Sequence, residues 1–155
     1  MNGLRGLSSC FALWAMTACG SAPADSAPTP DAWVEIRGVR VAVEEVITAA
    51  EQARGLGHRD SLAWDTGMLF LYDDAQFRGF WMKGMRFDID IVWILRGRIA
   101  DISHRVPSVE SPEGPWPSYR PNSLVDQVLE VPAGYASSHG WQVGDRIEIS
   151  RPARP

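Results

Sequence analysis

Apolar and polar residues alternate along most of the chain from Trp33 onward, a pattern typical of half-buried β-strands. The stretch WVEIRGVRVAVEEVI alternates on both sides of Arg37-Gly38, so we predict two short strands joined by a tight turn. The segment IDIVWILRGRIADISHRV repeats this arrangement around Arg96-Gly97 and is the clearest predicted hairpin. Further strands are predicted for GMLFLY, FRGFWMKG and SLVDQVLEV, with DDAQ as a turn between the first two, and WQVGDRIEI predicts a turn followed by a last strand.

Two segments break the alternation and favour short helices. In TAAEQARGLGHRDSL, Thr48 is a suitable N-cap, Glu51 completes a capping box, and Gly55 or Gly57 ends the helix. PAGYASSHG opens with proline and closes with glycine, and it predicts the second helix. PSVESPEGPWPSYRPNS is a long proline-rich loop of the kind that is often functional. The predicted fold class is α+β: a β-rich rolled sheet or small barrel of about seven mostly antiparallel strands with two short helices.

The N-terminal segment has the features of an export signal. A short apolar run, GLSSCFALWAM, follows Arg5; it is too short to span a bilayer comfortably but suits the core of a signal peptide. MTACG then resembles a bacterial lipobox, with Met16 where leucine is usual and Cys19 as the residue that would carry lipid. The alternatives are an ordinary secretory signal cut nearby and a chance cysteine. We expect a signal peptide over 1–18, the lipidated Cys19 with a flexible Pro/Ala/Ser tether over 19–32, one globular domain over 33–150 and a tail over 151–155.

Composition narrows the class of protein and its location. A chain of 155 residues with a net charge of −4 is large enough for one domain and lacks the basic surplus that nucleic-acid binding needs. The two cysteines are Cys10 and Cys19, so cleavage before Cys19 leaves a domain with no disulfide. We expect an exported protein on the periplasmic side of the cell envelope, anchored to a membrane through lipid on Cys19.

Common catalytic and metal-binding motifs are absent from the sequence. There is no glycine-rich phosphate loop after a strand, no HExxH and no nucleophile elbow. The three histidines, His58, His104 and His139, are far apart and lack a second ligand at metal spacing. We therefore predict no metal and no cofactor. His104 lies near a strand end beside the proline-rich loop, and we keep it as a candidate functional residue.

Asp88 and Asp90 interrupt an apolar run, and residues two apart on a strand share a face. A carboxylate in a central strand would be buried and would need a partner. Lys83, Arg54 and Arg59 are the natural candidates for that partner. The pattern leaves two interpretations open, a structural ion pair that closes the strand end and a ligand-binding or catalytic site.

Lys83 is the only lysine in the chain, because the other fourteen basic residues are arginine. A lysine retained in this background can mark a place where a planar guanidinium does not fit, although chance also explains a single residue. Trp81 lies two residues before it, and Trp116 lies in the proline-rich loop. An exposed tryptophan suits a sugar-binding surface, whereas a packed one belongs to a core or a lid.

Several motifs in this order resemble the domain-of-unknown-function 192 family, also catalogued as uncharacterised protein family 0127, from about Val41 to Ile149. They are ARGLGHRDSL, DTGMLFLY, FWMKGMRFDIDIVWI, SHRVP and VLEVPAGYASSHGWQVGD. The resemblance implies a β-rich α+β domain, often exported or membrane-tethered, with no established activity. The positions that match the family pattern are Arg54, Gly55, Leu56, Gly67, Met68, Phe70, Trp81, Met82, Lys83, Asp90, Glu130, Gly134, Gly144 and Asp145. Gly84-Met85 departs from the Asn-Thr that many members have after the lysine.

Three hypotheses for function follow. In the first, an envelope lipoprotein binds a small ligand or another envelope component through a polar patch of Arg54, Lys83, Asp90 and Glu130. In the second, the domain is a hydrolase or lyase for an envelope saccharide or peptide, with Asp90 or Glu130 as general acid/base and Lys83 as electrostatic stabiliser. In the third, these residues only stabilise the fold. Arg54, Lys83, Asp90, Glu130, His104 and Trp81 are the candidate site residues.

Overall fold

The computed structural model describes residues 29–109 and 113–153. The predicted signal peptide, the lipobox with Cys19 and most of the tether lie outside the described residues. The strands are β1 (Ala32–Ile36), β2 (Val39–Val46), β3 (Thr66–Gln76), β4 (Phe80–Trp81), β5 (Ile89–Leu95), β6 (Arg98–Val106), β7 (Ser118–Tyr119), β8 (Val125–Pro132) and β9 (Ile147–Ser150). The helices are α1 (Ala49–Arg54) and α2 (Tyr135–Ser138). Neither of these two described helices is long enough to cross a membrane.

Seven strands form one curled sheet in the order β6-β5-β8-β3-β2-β1-β9. Every pair is antiparallel except β2 with β3. The two edges meet at one end of the sheet, where the Ile147 amide donates to the Gly97 carbonyl at 2.9 Å and the Gly144 amide donates to the Ile99 carbonyl at 2.8 Å. The predicted α+β class, with a rolled sheet and two short helices, is confirmed.

The sheet separates two apolar clusters. The inner cluster takes side chains from all seven strands, including Val34, Leu69 and Leu129, and α2 covers it with Tyr135. The outer cluster uses the alternate side chains of β3, β5 and β8. It is covered by residues from the segment after α1 and from the segment after β4: Leu56, Met82 and Met85. Because β5 and β8 are covered on both faces, their sequences are almost continuously apolar.

Both predicted hairpins are present, and their turn residues have the left-handed backbone that such two-residue turns require. The φ angles are 53° and 78° at Arg37-Gly38 and 49° and 70° at Arg96-Gly97. Other predicted boundaries were wrong. DDAQ is an extension of β3, and FRGFWMKG contributes only Phe80–Trp81. These two residues pair with Ser118–Tyr119, which lie inside the predicted structureless loop. Each of the two short strands is therefore defined by a partner that is distant in sequence, which the local pattern does not reveal.

Helix α1 has the predicted capping box. The Glu51 amide donates to the Thr48 hydroxyl at 3.3 Å, and the Thr48 amide donates to the Glu51 carboxylate at 3.0 Å. The Gln52 side-chain amide then donates to the Leu71 carbonyl of β3 at 2.9 Å, which ties the helix to the outer face of the sheet. The helix is capped at its C-terminal end by Gly55. The next residue, Leu56, packs in the outer cluster against the central strands.

Candidate functional site

A cleft of about 360 Å³ lies on the outer face of the sheet, between the end of α1 and the segment 77–85. Four of the residues singled out in the sequence line it together: Arg54, Trp81, Lys83 and Glu130. They come from positions as far apart as 54 and 130, so only the folding of the sheet brings them to one place. Tyr72 and Arg78 also line the cleft. Three of the four residues of the hypothesised polar patch, Arg54, Lys83 and Glu130, thus lie in one cleft, and Asp90 does not.

Glu130 lies at the floor of this cleft, on the central strand β8. It stands opposite Met68 of β3 and Ile91 of β5, on the face of the outer apolar cluster. Its side chain is 6% exposed, and its Oε2 atom has no hydrogen-bond partner among the described residues. Burial raises the pKa of Glu130 to about 8. The carboxyl group is therefore mainly protonated at neutral pH, with a hydroxyl to donate and a carbonyl to accept.

Gly67 allows β3 to approach this strand closely. A Cβ atom at Gly67 would lie 2.6 Å from the backbone oxygen of Glu130, closer than real Cβ atoms come to a backbone oxygen. The glycine of the family's G-M-L-F motif is thus explained by a backbone contact directly behind the floor of the cleft.

Tyr72 and Arg78 form the wall next to Glu130. The Arg78 guanidinium carbon lies 3.5 Å from the centre of the Tyr72 ring, and Arg78 Nη2 donates to the Asp74 carboxylate at 2.5 Å. Arg78 Nε is buried and has no partner in the described part of the chain. Burial, with a smaller contribution from charge on Glu130, raises the pKa of Tyr72 to about 12, against the opposing effect of Arg78. The phenol therefore stays protonated and can donate a hydrogen bond.

Lys83 lies in the turn that follows β4. The Met85 amide donates to the Met82 carbonyl at 3.2 Å, and the two methionines on either side are buried in the outer cluster. The Lys83 ammonium lies 5.7 Å from the centre of the Trp81 ring and 4.9 Å from that of Trp116. Both are distances at which a cation is attracted to an aromatic ring. In the described residues Lys83 makes no ion pair.

Gly84 gives the turn its shape. Its φ of +72° lies in the left-handed region, where glycine and asparagine are the most tolerated residues. A Cβ atom there would lie 2.8 Å from the His58 ring, and the His58 amide donates to the Gly84 carbonyl at 2.7 Å. The departure from the family's asparagine therefore keeps the backbone shape, and here the space beyond Gly84 is filled by His58.

Asp90 does not line the cleft. It neighbours Ile91 on β5 and so points to the opposite face of the sheet from Glu130. Its carboxylate accepts three backbone amide hydrogen bonds, from Arg105 at 2.7 Å, Gly134 at 2.9 Å and Ala136 at 2.9 Å. The ion pair considered between Asp90 and a basic side chain is absent from the described residues, since the Arg105 amide of β6 and two amides at the start of α2 replace it. Of the basic candidates, Arg59 instead pairs with Glu44 at 2.7 Å.

The other candidates lie elsewhere. His104 is exposed on β6 and does not line the cleft. The Asp88 carboxylate accepts hydrogen bonds from the amide and the hydroxyl of Ser108, at 2.7 and 3.0 Å. Cys19 is outside the described residues. Within 29–109 and 113–153, no group of three or more His, Cys, Asp or Glu side chains is arranged to hold a metal ion.

Sequence reasoning missed Tyr72 and Arg78. The alternation of GMLFLY contained a signal for Tyr72, because it places the tyrosine on the same face as Met68 and Phe70. Arg78 had no such signal, because its segment does not continue the β3 pattern. Its place in the site depends on the ring of Tyr72 and the carboxylate of Asp74.

Comparison with known proteins agrees with the motif resemblance. The DUF192 family model, described as "Uncharacterized ACR", matches residues 32–149. A crystal structure of a protein of unknown function from Novosphingobium aromaticivorans DSM 12444 is 27% identical, with a TM-score of 0.68 over 75% of this chain and 83% of that chain. A protein from Sinorhizobium meliloti 1021, described as a proposed transcription regulator, is also 27% identical, with a TM-score of 0.66 over 76% and 91%. No curated protein matches the chain.

Replacing Asp90 tests its structural role. We expect Asp90→Ala to lower the free energy of unfolding by about 3–5 kcal/mol, because three amides, two of them buried, lose their acceptor. The matched control is Asp88→Ala, which removes an exposed carboxylate two residues away and should cost about 1 kcal/mol. Urea unfolding followed by tryptophan fluorescence measures both. Equal losses in the two variants would contradict the role given to Asp90.

The protonated state of Glu130 predicts how stability depends on pH. The pKa is raised from an ordinary 4.5 to about 8 on folding, so the native state holds a proton that the unfolded state releases. Stability should therefore fall as pH rises from 4.5 through 8. Relative to Glu130→Gln, the wild type should lose about 2 kcal/mol of unfolding free energy between pH 6 and pH 8. Glu148→Gln, at an exposed carboxylate, should keep the wild-type slope, and parallel curves for wild type and Glu130→Gln would reject the assignment.

Proposed function

Because this chain belongs to the DUF192 family of uncharacterised proteins, for which fold and not activity is known, we propose a function from its own cleft. We infer that the domain binds a small ligand in the cleft lined by Arg54, Trp81, Lys83 and Glu130, and that it does so as an exported protein tethered to a membrane of the cell envelope. The observation that carries the proposal is Glu130, a buried residue that lines the cleft and whose Oε2 atom has no hydrogen-bond partner among the described residues.

The energetics of Glu130 support a binding role over a purely structural one. A buried polar atom without a partner costs free energy of roughly 1–3 kcal/mol, and such atoms are uncommon in folded proteins. Asp90 shows the contrast, since its buried carboxylate accepts three amides and has a clear structural use. Among the described residues Glu130 Oε2 has no such partner, and a ligand with a complementary polar group would remove the cost of its burial.

A second candidate function is catalysis. A carboxyl group that remains protonated at neutral pH is what a general acid requires, and burial gives Glu130 that property. Glu130 would protonate the leaving group of an envelope saccharide or peptide, and Lys83 would stabilise negative charge. Asp90 is withdrawn from this role because its carboxylate is on the other face of the sheet.

Binding to nucleic acid has less support. The two described helices have six and four residues, too short to act as a recognition helix in a major groove. The chain also carries a net charge of −4, whereas contact with phosphates requires a basic surface. The description of the Sinorhizobium meliloti protein is therefore not extended to this chain.

The tether is proposed from the sequence alone, with Cys19 as the lipid attachment site. When the full-length chain is expressed in a Gram-negative host, we expect the wild type to partition into the detergent phase and Cys19→Ser to remain in the aqueous phase. Cys10→Ser is the matched control and should behave as the wild type, because Cys10 leaves with the signal peptide. Detergent-phase partition of Cys19→Ser equal to that of the wild type would overturn the anchor.

Ligand binding in the cleft is tested by a substitution that places a bulky side chain in it. Ala53 is an exposed residue of α1 that lines the cleft, whereas Ala50 is exposed on the same helix and does not. The probe is a panel of glucose, N-acetylglucosamine, glucuronate, succinate and alanyl-alanine, followed by amide chemical shifts in NMR titrations. We expect at least one member to shift cleft residues in the wild type and in Ala50→Trp but not in Ala53→Trp, because the indole occupies the ligand's space.

Two outcomes of this titration would decide against the proposal. One is the absence of cleft shifts with every member at millimolar concentration. The other is shifts that persist unchanged in Ala53→Trp, since the ligand would then lie elsewhere. If a bound member is converted to product, and Glu130→Gln binds it without conversion, the second candidate function replaces the first.

A further inference from the structure

The charge of the cleft is the reverse of the charge of the chain. Among the described residues, its lining includes the three cations Arg54, Arg78 and Lys83 and a single acidic residue, Glu130. Arg78 is paired with Asp74, but in the described part of the chain Arg54 and Lys83 make no ion pair. With Glu130 protonated at neutral pH, the cleft is positive in a chain of net charge −4. The cleft therefore favours an anionic ligand.

A flat aromatic surface lies next to the Lys83 ammonium. The Trp81 side chain is 55% exposed and lines the cleft. The Trp116 ring lies edge-on to it, with 6.3 Å between the ring centroids, and restrains its orientation. An exposed, oriented indole is a suitable stacking surface for a ring-shaped ligand. The anionic group of such a ligand would lie within reach of Lys83, whose ammonium contacts both indoles.

The floor of the cleft selects a ligand that has hydroxyl groups. The Glu130 carboxyl can donate and accept, the Tyr72 phenol is protonated, and Arg78 Nε is a buried donor without a partner in the described residues. A purely apolar or aromatic ring would cover these groups and leave them unsatisfied, which is costly. A polyhydroxylated ring would satisfy them. The volume of about 360 Å³ lies at the small end of ligand sites and limits the ligand to one or two rings.

We propose that the cleft binds a sugar ring that carries an anionic group, either a carboxylate or a phosphate. The ring stacks on Trp81, its anionic group is bound by Arg54 and Lys83, and its hydroxyls are bound by Glu130 and Tyr72. This inference rests on the proposed function and names its ligand class. It also gives a chemical role to the single lysine, since a compact ammonium fits between two indoles and a ligand anion where a planar guanidinium would stack on one ring.

The test compares ligands that differ in one property each. Glucuronate and glucose 6-phosphate are sugar rings that carry a carboxylate and a phosphate, respectively. Glucose is a sugar ring without a charge, and benzoate is a charged ring without hydroxyl groups. Inorganic phosphate is an anion without a ring. Calorimetric titration at low salt measures each dissociation constant. We expect at least one of the two anionic sugars to bind about tenfold or more tightly than glucose, benzoate or phosphate, because each comparison removes a charge-assisted hydrogen bond or its equivalent.

Variants assign the contacts to residues. Lys83→Met and Arg54→Met should each weaken binding of the preferred anionic sugar about tenfold and leave glucose unchanged. The matched control is Arg146→Met, which removes an exposed arginine that does not line the cleft and pairs with Glu148. Trp81→Ala should weaken all sugars about fivefold, whereas Trp64→Ala, at an equally exposed tryptophan outside the cleft, should not.

The outcomes separate this inference from the proposed function. Equal affinity for glucose and both anionic sugars, with shifts that map to the cleft, would overturn the anionic class while the binding function stands. Equal affinity for benzoate or phosphate would overturn the sugar ring. If no member of either panel binds in the cleft, the proposed function itself fails. Selective binding of glucuronate or of glucose 6-phosphate would identify the anionic group and support the inference.

Discussion

The central strand β8 is covered on both faces, and the rest of the molecule depends on that constraint. Because side chains alternate along a strand, Leu129 and Val131 fill the inner cluster, while Val128 fills the outer one. Glu130 falls on the outer row, where its neighbours across the sheet are apolar. A change of register by one residue would exchange the two rows and place the carboxyl group inside the sheet. The position of the cleft floor is thus a consequence of strand register.

The two buried acidic side chains in the described part of the domain show how differently one sheet can use the same chemical group. Asp90 accepts three amides, so its charge is compensated and it fixes the start of α2. Glu130 has an oxygen without a hydrogen-bond partner among the described residues, and burial raises its pKa. They lie on adjacent strands but on opposite faces. The first contributes to the stability of the fold, and the second leaves hydrogen-bonding capacity for something outside the chain.

Lys83 links the outer apolar cluster to the rim of the cleft. The buried Met82 and Met85 hold its turn, and the left-handed backbone of Gly84 directs the chain back toward β5. The ammonium is then held near two indoles with no carboxylate partner in the described residues. A lysine whose only role was an ion pair between strands would need such a partner. Its surroundings instead match the charge of a cleft that is positive and partly aromatic.

The sequence by itself determined the local features of this protein. Alternation and the turn residues Arg37-Gly38 and Arg96-Gly97 specified both hairpins, and Thr48 with Glu51 specified the first helix, because each depends on residues close together in the chain. The motifs also identified the family. The alternation in GMLFLY placed Tyr72 on the same face as Met68 and Phe70, although it did not show that Tyr72 lines the cleft.

Only the tertiary structure decided which residues meet. The pairing of Phe80–Trp81 with Ser118–Tyr119 and the place of Arg78 depend on contacts between segments that are distant in sequence or not regular. The positions of Asp90 and Glu130 on opposite faces of the sheet also depend on such contacts, whereas the sequence analysis placed both residues in one polar patch. Local pattern shows that a residue is buried but not which face of the sheet it occupies or what it finds there, because both follow from strand order and register.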